Sequence, residues 1–208
     1  MVKANQKNRI DLSEQIPLRA PLVVHLETTN RCNFRCTYCM PEEGMKWLQK
    51  ERLLRFEEIH RVVRLMVNMG VRRVRLTGGE PLLRTDVTEL VQMLAEIPGL
   101  DDLSMTTNGH LLTRYAARLA AAGLQRVNVS LDSVDAEQFT RITRGGDLNR
   151  VLEGIDAALK VVLTPVKINA VIVAGENHGQ VERLVEHFLP FDDLIQLRFI
   201  EAMPFSGT

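Results

Sequence analysis

The sequence predicts an α/β fold built around a parallel sheet. Short apolar runs alternate along the chain with segments whose apolar residues recur every three or four positions, the pattern of strands alternating with amphipathic helices. Alternation of this kind favours right-handed strand–helix–strand units. The six strands it predicts can form an incomplete barrel or a doubly wound sheet, and periodicity alone does not separate these two architectures.

Each predicted element has its own local signal. The first strand, residues 22–26, is an apolar run that leads into a loop containing every cysteine of the chain. Apolar residues at helical spacing predict the first helix from Phe56 to about Gly70, where the glycine favours an end. A later helix, 112–122, ends in the same way at Gly123. The remaining predicted strands are 71–76, 103–106, 126–131, 166–173 and 195–200, and the remaining predicted helices are 87–96, 136–142, 149–161 and 180–188.

Composition excludes several classes of protein. The chain has 208 residues, with 26 Lys and Arg against 26 Asp and Glu, so no global basic field favours nucleic acid as a partner. The first ten residues lack the apolar stretch of a signal peptide, and no later run is long and apolar enough to cross a membrane. We therefore expect a cytoplasmic protein, with a polar tail over residues 1–20 and one domain over 21–208.

All three cysteines, Cys32, Cys36 and Cys39, lie within eight residues in the spacing C-x3-C-x2-C. Thiolates are soft ligands suited to iron–sulfur clusters, and three local thiolates would leave one iron of a four-iron cluster free. A disulfide framework fits poorly because one thiol would remain unpaired. Structural zinc would need a fourth ligand, such as a distant histidine. Three unrelated buried cysteines are the remaining alternative.

A Gly-Gly turn follows the second predicted strand. Gly78 and Gly79 lack a Cβ and allow the backbone to approach a ligand closely, while Glu80 offers an anionic acceptor for an ammonium group. The alternative is an ordinary strand-to-helix turn.

Small polar and cationic residues lie on or after the other strands. Thr106 and Ser130 offer groups for ribose hydroxyls or a carboxylate, although each could be a cap or turn residue. Arg75, Lys167 and Arg198 lie in apolar surroundings, where a cation needs a partner such as phosphate or a structural carboxylate. Met203 could pack on an adenine ring or be a core residue.

These motifs together resemble the radical S-adenosylmethionine (SAM) superfamily. The resemblance implies an incomplete (β/α)6 TIM-like barrel, and a [4Fe–4S] cluster held by Cys32, Cys36 and Cys39. It also implies that the open iron is chelated by the amino and carboxylate groups of SAM. Electron transfer from the cluster would then cleave SAM to methionine and a 5′-deoxyadenosyl radical.

Within the superfamily, residues 32–44, 75–84, 106–109, 128–132 and 198–204 look like the GTP 3′,8-cyclase family, lyases of molybdenum-cofactor biosynthesis. That resemblance implies GTP as the small-molecule substrate and an external electron donor. It also implies a homodimer as one possible oligomeric state. The positions matching the family's SAM-binding residues are Tyr38, Gly78, Gly79, Glu80, Ser130 and Met203, and those matching its GTP-binding residues are Arg75, Thr106, Lys167 and Arg198.

Two departures from the cyclase pattern stand out. His25 occupies the position seven residues before the first cysteine, where the family usually has an arginine. No cysteine follows Cys39, so we expect a SAM-cleaving part without the C-terminal second-cluster region that binds guanine in the family. Both departures favour an alternative, a radical SAM enzyme acting on a peptide or small metabolite. A non-catalytic metal-binding module is the other alternative.

Overall fold

The computed structural model describes residues 23–202, in which six strands form one parallel sheet. Six helices connect the strands, and single turns of 3₁₀ helix follow the cysteine loop and strand β2. The strands are β1 Val23–Thr29, β2 Arg73–Gly78, β3 Asp102–Thr107, β4 Arg126–Ser130, β5 Val166–Ile172 and β6 Ile195–Glu201. The helices are α1 Phe56–Asn68, α2 Val87–Ala95, α3 Leu112–Ala121, α4 Ala136–Thr143, α5 Leu148–Lys160 and α6 Val181–Phe188.

The order of the strands decides between the two architectures that the sequence left open. Spatial order follows chain order from β1 to β6, and every neighbouring pair is parallel. Right-handed crossovers in a single direction place all the helices on one face, whereas a doubly wound sheet reverses direction and carries helices on both faces. Within the described residues β1 and β6 do not pair, so the sheet remains open. The fold is therefore an incomplete barrel.

The two faces of the sheet differ in chemistry because side chains alternate along each strand. One face carries fully buried residues such as Leu76, Met105, Val129 and Ile168, which pack against the helices in the main core. We call the opposite face the inner face. It carries polar and charged side chains in register across the strands: His25, Arg75, Ser104, Thr106, Arg126, Asn128, Ser130, Lys167, Asn169 and Arg198.

The helix ends follow local capping chemistry. Asp135 and Asp147 precede α4 and α5, and each carboxylate accepts a backbone N–H of the first turn. At α1 the Glu58 side chain accepts the N–H of Arg55. Helix α3 ends before Gly123, whose φ of +94° suits glycine.

All six strands and all six helices are confirmed, with ends that differ by at most three residues. Strand β1 continues to Thr29 and β2 is shifted to Arg73–Gly78, because Gly78 still pairs with Thr29. The predicted tail and the Met203 assignment lie outside the described residues. Within the part of the chain that the structure covers, no helix has the length and apolar character needed to cross a membrane.

Candidate active site

The cysteine loop lies at the carboxyl end of the sheet, directly after β1. Backbone hydrogen bonds fix it to the C-terminal end of α4: the N–H of Arg35 donates to Thr143 O at 3.1 Å, and that of Thr37 to Ile142 O at 2.9 Å. Between the cysteines the Phe34 ring is buried and packs edge-on against the Phe139 ring, 6.0 Å between centroids. The loop is therefore shaped by contacts with the rest of the fold.

The three thiols have an environment that fits an iron–sulfur cluster. Cys32 and Cys36 are half-buried and Cys39 is exposed. Burial, followed by the charges of Asp132 and the other two thiolates, raises the pKa of Cys36 to about 12. Burial likewise raises the pKa of Cys32. Iron would supply the positive charge that three neighbouring thiolates lack.

Zinc and an iron–sulfur cluster require different positions of the three thiols. A single zinc ion needs all its sulfur ligands about 2.3 Å from one point, whereas cysteines bound to different irons of a cluster stand further apart. Within residues 23–202 no group of three His, Cys, Asp or Glu side chains is arranged to hold one metal ion.

The Gly-Gly turn after β2 packs against the segment that leads into the cysteine loop. The Gly79 N–H donates to Thr29 O and the Glu80 N–H to Arg31 O, each at 2.7 Å. A Cβ on Gly78 would lie 2.2 Å from Thr29 O, and a Cβ on Gly79 would lie 2.2 Å from Arg31 O. Both glycines are therefore required for close backbone packing, and their contact with SAM stays a prediction.

Glu80 has internal partners for both carboxylate oxygens. Oε1 accepts the Leu82 N–H at 3.0 Å and the Thr107 hydroxyl at 2.8 Å, and Oε2 accepts the Asn108 N–H at 2.6 Å. The side chain is fully buried, and this burial raises its pKa to about 7. A direct contact between Glu80 and the ammonium group of SAM stays a prediction, but these bonds give Glu80 a structural role between β2 and β3.

Asp132 connects the cysteine loop to strand β5. The Tyr38 hydroxyl donates to Asp132 Oδ2 at 2.7 Å, and the Val171 N–H of β5 donates to Oδ1 at 2.8 Å. Asp132 is 2% exposed, and burial raises its pKa. Tyr38, predicted to contact SAM through its backbone, thus also holds the loop through its side chain. The sequence analysis missed this role of Asp132, although a carboxylate directly after a strand was a signal for it.

The predicted GTP-binding residues share the inner face of the sheet. In the strand register Arg75 lies opposite Ser104, and Thr106 is two residues further along the same strand on the same face. Arg198 lies opposite Asn169, and Lys167 is two residues before Asn169 on the same face. Burial, together with the charge of Arg198, lowers the pKa values of both Arg75 and Lys167. The structure therefore brings these predicted residues together.

The charges on the inner face are incompletely compensated. Arg126, which the sequence analysis did not single out, pairs with Asp102 of β3. In contrast, within residues 23–202 no carboxylate oxygen lies within 4.0 Å of a charged nitrogen of Arg75, Lys167 or Arg198. The buried Nε of Arg75 likewise has no hydrogen-bond partner among these residues. Cations without a carboxylate partner attract a multiply charged anion, so anion binding here stays a prediction.

Ser130 is the last residue of β4 and lies opposite Asn169, which in turn lies opposite Arg198. It remains a predicted SAM contact. His25 lies opposite Arg75 in β1 and is exposed on the inner face. The residue that replaces the family's arginine therefore adjoins the predicted anion site.

Comparison with known proteins identifies relatives over most of the chain. A sequence profile of the Radical SAM superfamily matches residues 26–188. GTP 3′,8-cyclase from Listeria welshimeri is 49% identical over 189 residues, which cover 89% of this chain and 56% of that protein. GTP 3′,8-cyclase from Petrotoga mobilis is 46% identical over 185 residues, which cover 89% and 57%. The chain thus spans slightly more than half the length of these curated relatives.

Solved structures confirm the fold. Streptococcus suis SuiB bound to S-adenosylmethionine superimposes with a TM-score of 0.71 at 18% identity, covering 90% of this chain and 42% of that one. Methylornithine synthase gives a TM-score of 0.68 at 18% identity, covering 91% of this chain and 56% of that one. At these identities the similarity concerns the incomplete barrel alone.

Proposed function

Because the chain belongs to the radical SAM superfamily, whose members use a [4Fe–4S] cluster and SAM, we propose that it is the SAM-cleaving part of a GTP 3′,8-cyclase-like enzyme. The relatives named GTP 3′,8-cyclase support the substrate assignment. The proposal places the chain in the cyclisation step of molybdenum-cofactor biosynthesis.

The observation that carries the substrate assignment is the set of unpaired cations on the inner face. Arg75, Lys167 and Arg198 lie on one side of the sheet, below the cysteine loop at its carboxyl end. A triphosphate carries several negative charges and accepts hydrogen bonds from both guanidinium and ammonium groups. The phosphates of a bound nucleotide would contact these cations, and the rest of the nucleotide would lie along the inner face.

The residues nearer the loop would hold SAM and the cluster. Cys32, Cys36 and Cys39 would ligate three irons, and the bound cluster with SAM would supply the radical that abstracts hydrogen from the substrate. Ser130 offers a hydroxyl for the SAM ribose, and Gly79 brings its backbone to the same end of the sheet. The chain's own contribution is orientation, which determines which hydrogen lies within reach.

Three further parts of the proposal concern the electron donor, the oligomeric state and the location of the protein in the cell. We propose an external electron donor, as membership of the radical SAM superfamily implies. A homodimer is a prediction that follows from the family resemblance. We place the protein in the cytoplasm, where reducing conditions keep thiols available for a cluster.

The test begins with anaerobically reconstituted protein. We expect about four irons and four sulfides per chain, by the stoichiometry of a single cluster. Incubation with SAM and a strong reductant should yield 5′-deoxyadenosine. Stoichiometric zinc without sulfide would support the metal-binding module instead, and a cluster without SAM cleavage would contradict the enzyme assignment.

GTP binding tests the substrate assignment separately. Lys167→Ala and Arg198→Ala should each weaken binding by roughly tenfold or more, because a hydrogen bond to a charged group contributes about 1.5–3 kcal/mol. Higher salt should reduce the affinity further. The matched control is Lys160→Ala, which removes an exposed lysine paired with Asp156 on α5. Equal affinity in all variants, or SAM cleavage stimulated by a peptide and not by GTP, would favour the alternative radical SAM enzyme.

A further inference from the structure

Asn108, the first residue after β3, has hydrogen-bond partners for its backbone N–H and for both polar atoms of its side chain. Its backbone N–H donates to Glu80 Oε2 at 2.6 Å. Its side-chain Oδ1 accepts the His110 N–H at 3.1 Å. Because a backbone donor contacts Oδ1, the other side-chain atom must be the NH₂ group, and the orientation of the amide is determined.

The NH₂ group of Asn108 points at the first cysteine. Nδ2 lies 2.8 Å from Asn33 Oδ1 and 3.8 Å from Cys32 Sγ, within hydrogen-bonding range for sulfur. Asn108 is only 9% exposed, so water competes little for this contact. The Cys32 sulfur also accepts the Phe34 N–H at 3.4 Å, which gives it two donors.

We propose that Asn108 is a positioning residue that orients Cys32 and, by donating to its sulfur, raises the reduction potential of the cluster. The proposal rests on the cluster half of the proposed function. Reduction adds negative charge that spreads over the cluster sulfurs and cysteine ligands, and a donor stabilises the more negative state more strongly. Removing the donor should therefore make the cluster harder to reduce.

The buried Glu80 extends this arrangement. Its carboxylate accepts the backbone N–H of Asn108 and so holds the backbone there. The Thr107 hydroxyl donates to the same carboxylate at 2.8 Å. Asn108 is thus held by Glu80, which follows β2, and it contacts Cys32, which lies 76 residues earlier in the chain. A purely structural role, as an ordinary turn residue whose side chain accepts the His110 N–H, is the competing explanation.

Two variants and one control separate these explanations. Asn108→Asp retains an acceptor for His110 but replaces the donor with a negative charge. Asn108→Ser removes the amide without adding charge. Thr107→Val is the matched control, because it disturbs the same turn by removing the hydroxyl that donates to Glu80 and accepts the Gly109 N–H, without any contact to sulfur. The midpoint potential of each reconstituted protein is measured by a redox titration followed by electron paramagnetic resonance, without SAM or substrate.

We expect Asn108→Asp to lower the equilibrium constant for reduction about tenfold, which is ~59 mV for one electron. Asn108→Ser should shift the potential in the same direction by less, and Thr107→Val should keep the wild-type potential. Loss of the cluster from both Asn108 variants, with retention in Thr107→Val, would also support the positioning role.

Unchanged potentials in both Asn108 variants, or equal shifts in Thr107→Val, would overturn the inference and leave the cluster assignment intact. Failure of the wild-type protein to assemble a cluster would instead contradict the proposed function. The chelator-induced rate of iron loss and the free energy of unfolding of the apo protein are recorded in parallel, so that a general loss of stability is recognised.

Discussion

Substituting alanine for Gly79 tests whether the Gly-Gly turn acts on the cysteine loop or only on the ligand. An added Cβ would lie 2.2 Å from the carbonyl oxygen of Arg31 and 2.5 Å from its carbonyl carbon. Both are backbone atoms, so no flexible side chain can move aside. The φ of Gly79 is not in the left-handed region, and the strain therefore comes from the collision alone.

The magnitude follows from the displacement that this collision requires. Ordinary contact with a Cβ begins near 3.4 Å, so the Arg31 carbonyl and the turn must separate by roughly 1 Å. That movement stretches the bonds from Gly79 N–H to Thr29 O and from Glu80 N–H to Arg31 O. Leaving buried backbone groups unsatisfied costs about 1–3 kcal/mol each, so we expect Gly79→Ala to lower the free energy of unfolding by about 2–4 kcal/mol.

The assay combines urea unfolding of the apo protein with retention of iron and sulfide by the reconstituted protein under chelator challenge. We expect both stability and cluster retention to fall in Gly79→Ala, because the displaced segment ends at Cys32. Gly179→Ala is the matched control, since a Cβ there meets no atom within 4 Å and its φ is ordinary. It should leave both measurements unchanged.

The opposite pattern would refute this reasoning. If Gly79→Ala weakens SAM binding while its free energy of unfolding and cluster retention equal those of the wild type, the glycine acts at the ligand. The expectation drawn from the sequence alone would then be correct.

The remaining predictions concern Glu80 and Tyr38. Burial raises the pKa of Glu80 from 4.5 to about 7, so the folded state keeps a proton that the unfolded state loses, and the free energy of unfolding should fall as pH rises through this window. At about 1.4 kcal/mol per pKa unit the fall is up to about 3 kcal/mol between pH 5 and 8. Urea unfolding across that range should show a flatter profile for Glu80→Gln; an identical profile would contradict the assignment. Tyr38→Phe removes the hydroxyl that donates to buried Asp132 and should lower the free energy of unfolding by about 1–3 kcal/mol. Tyr115→Phe on α3 is its control, and equal losses in both variants would show that the Tyr38–Asp132 bond has no special weight.

Local sequence patterns predicted the secondary-structure elements and the candidate ligands. Apolar periodicity is a property of neighbouring residues, and it predicted six strands and six helices with small errors at their ends. The spacing of Cys32, Cys36 and Cys39 likewise identified a cluster motif without any structure. The cysteines and the Gly-Gly turn follow predicted strands, Ser130 lies near the end of another, and the carboxyl ends of parallel strands share one edge of the sheet.

The contacts between these parts depend on the three-dimensional arrangement of the whole chain. The order of the strands, and not their number, distinguished the incomplete barrel from a doubly wound sheet. The packing of Gly79 on Arg31, the contact of Asn108 with Cys32 and the bond from Tyr38 to Asp132 join residues that are 48 to 94 positions apart. Such contacts depend on the register and curvature of the whole sheet, which no local pattern encodes. That is why Glu80, read from the sequence as a ligand, is found buried among internal donors.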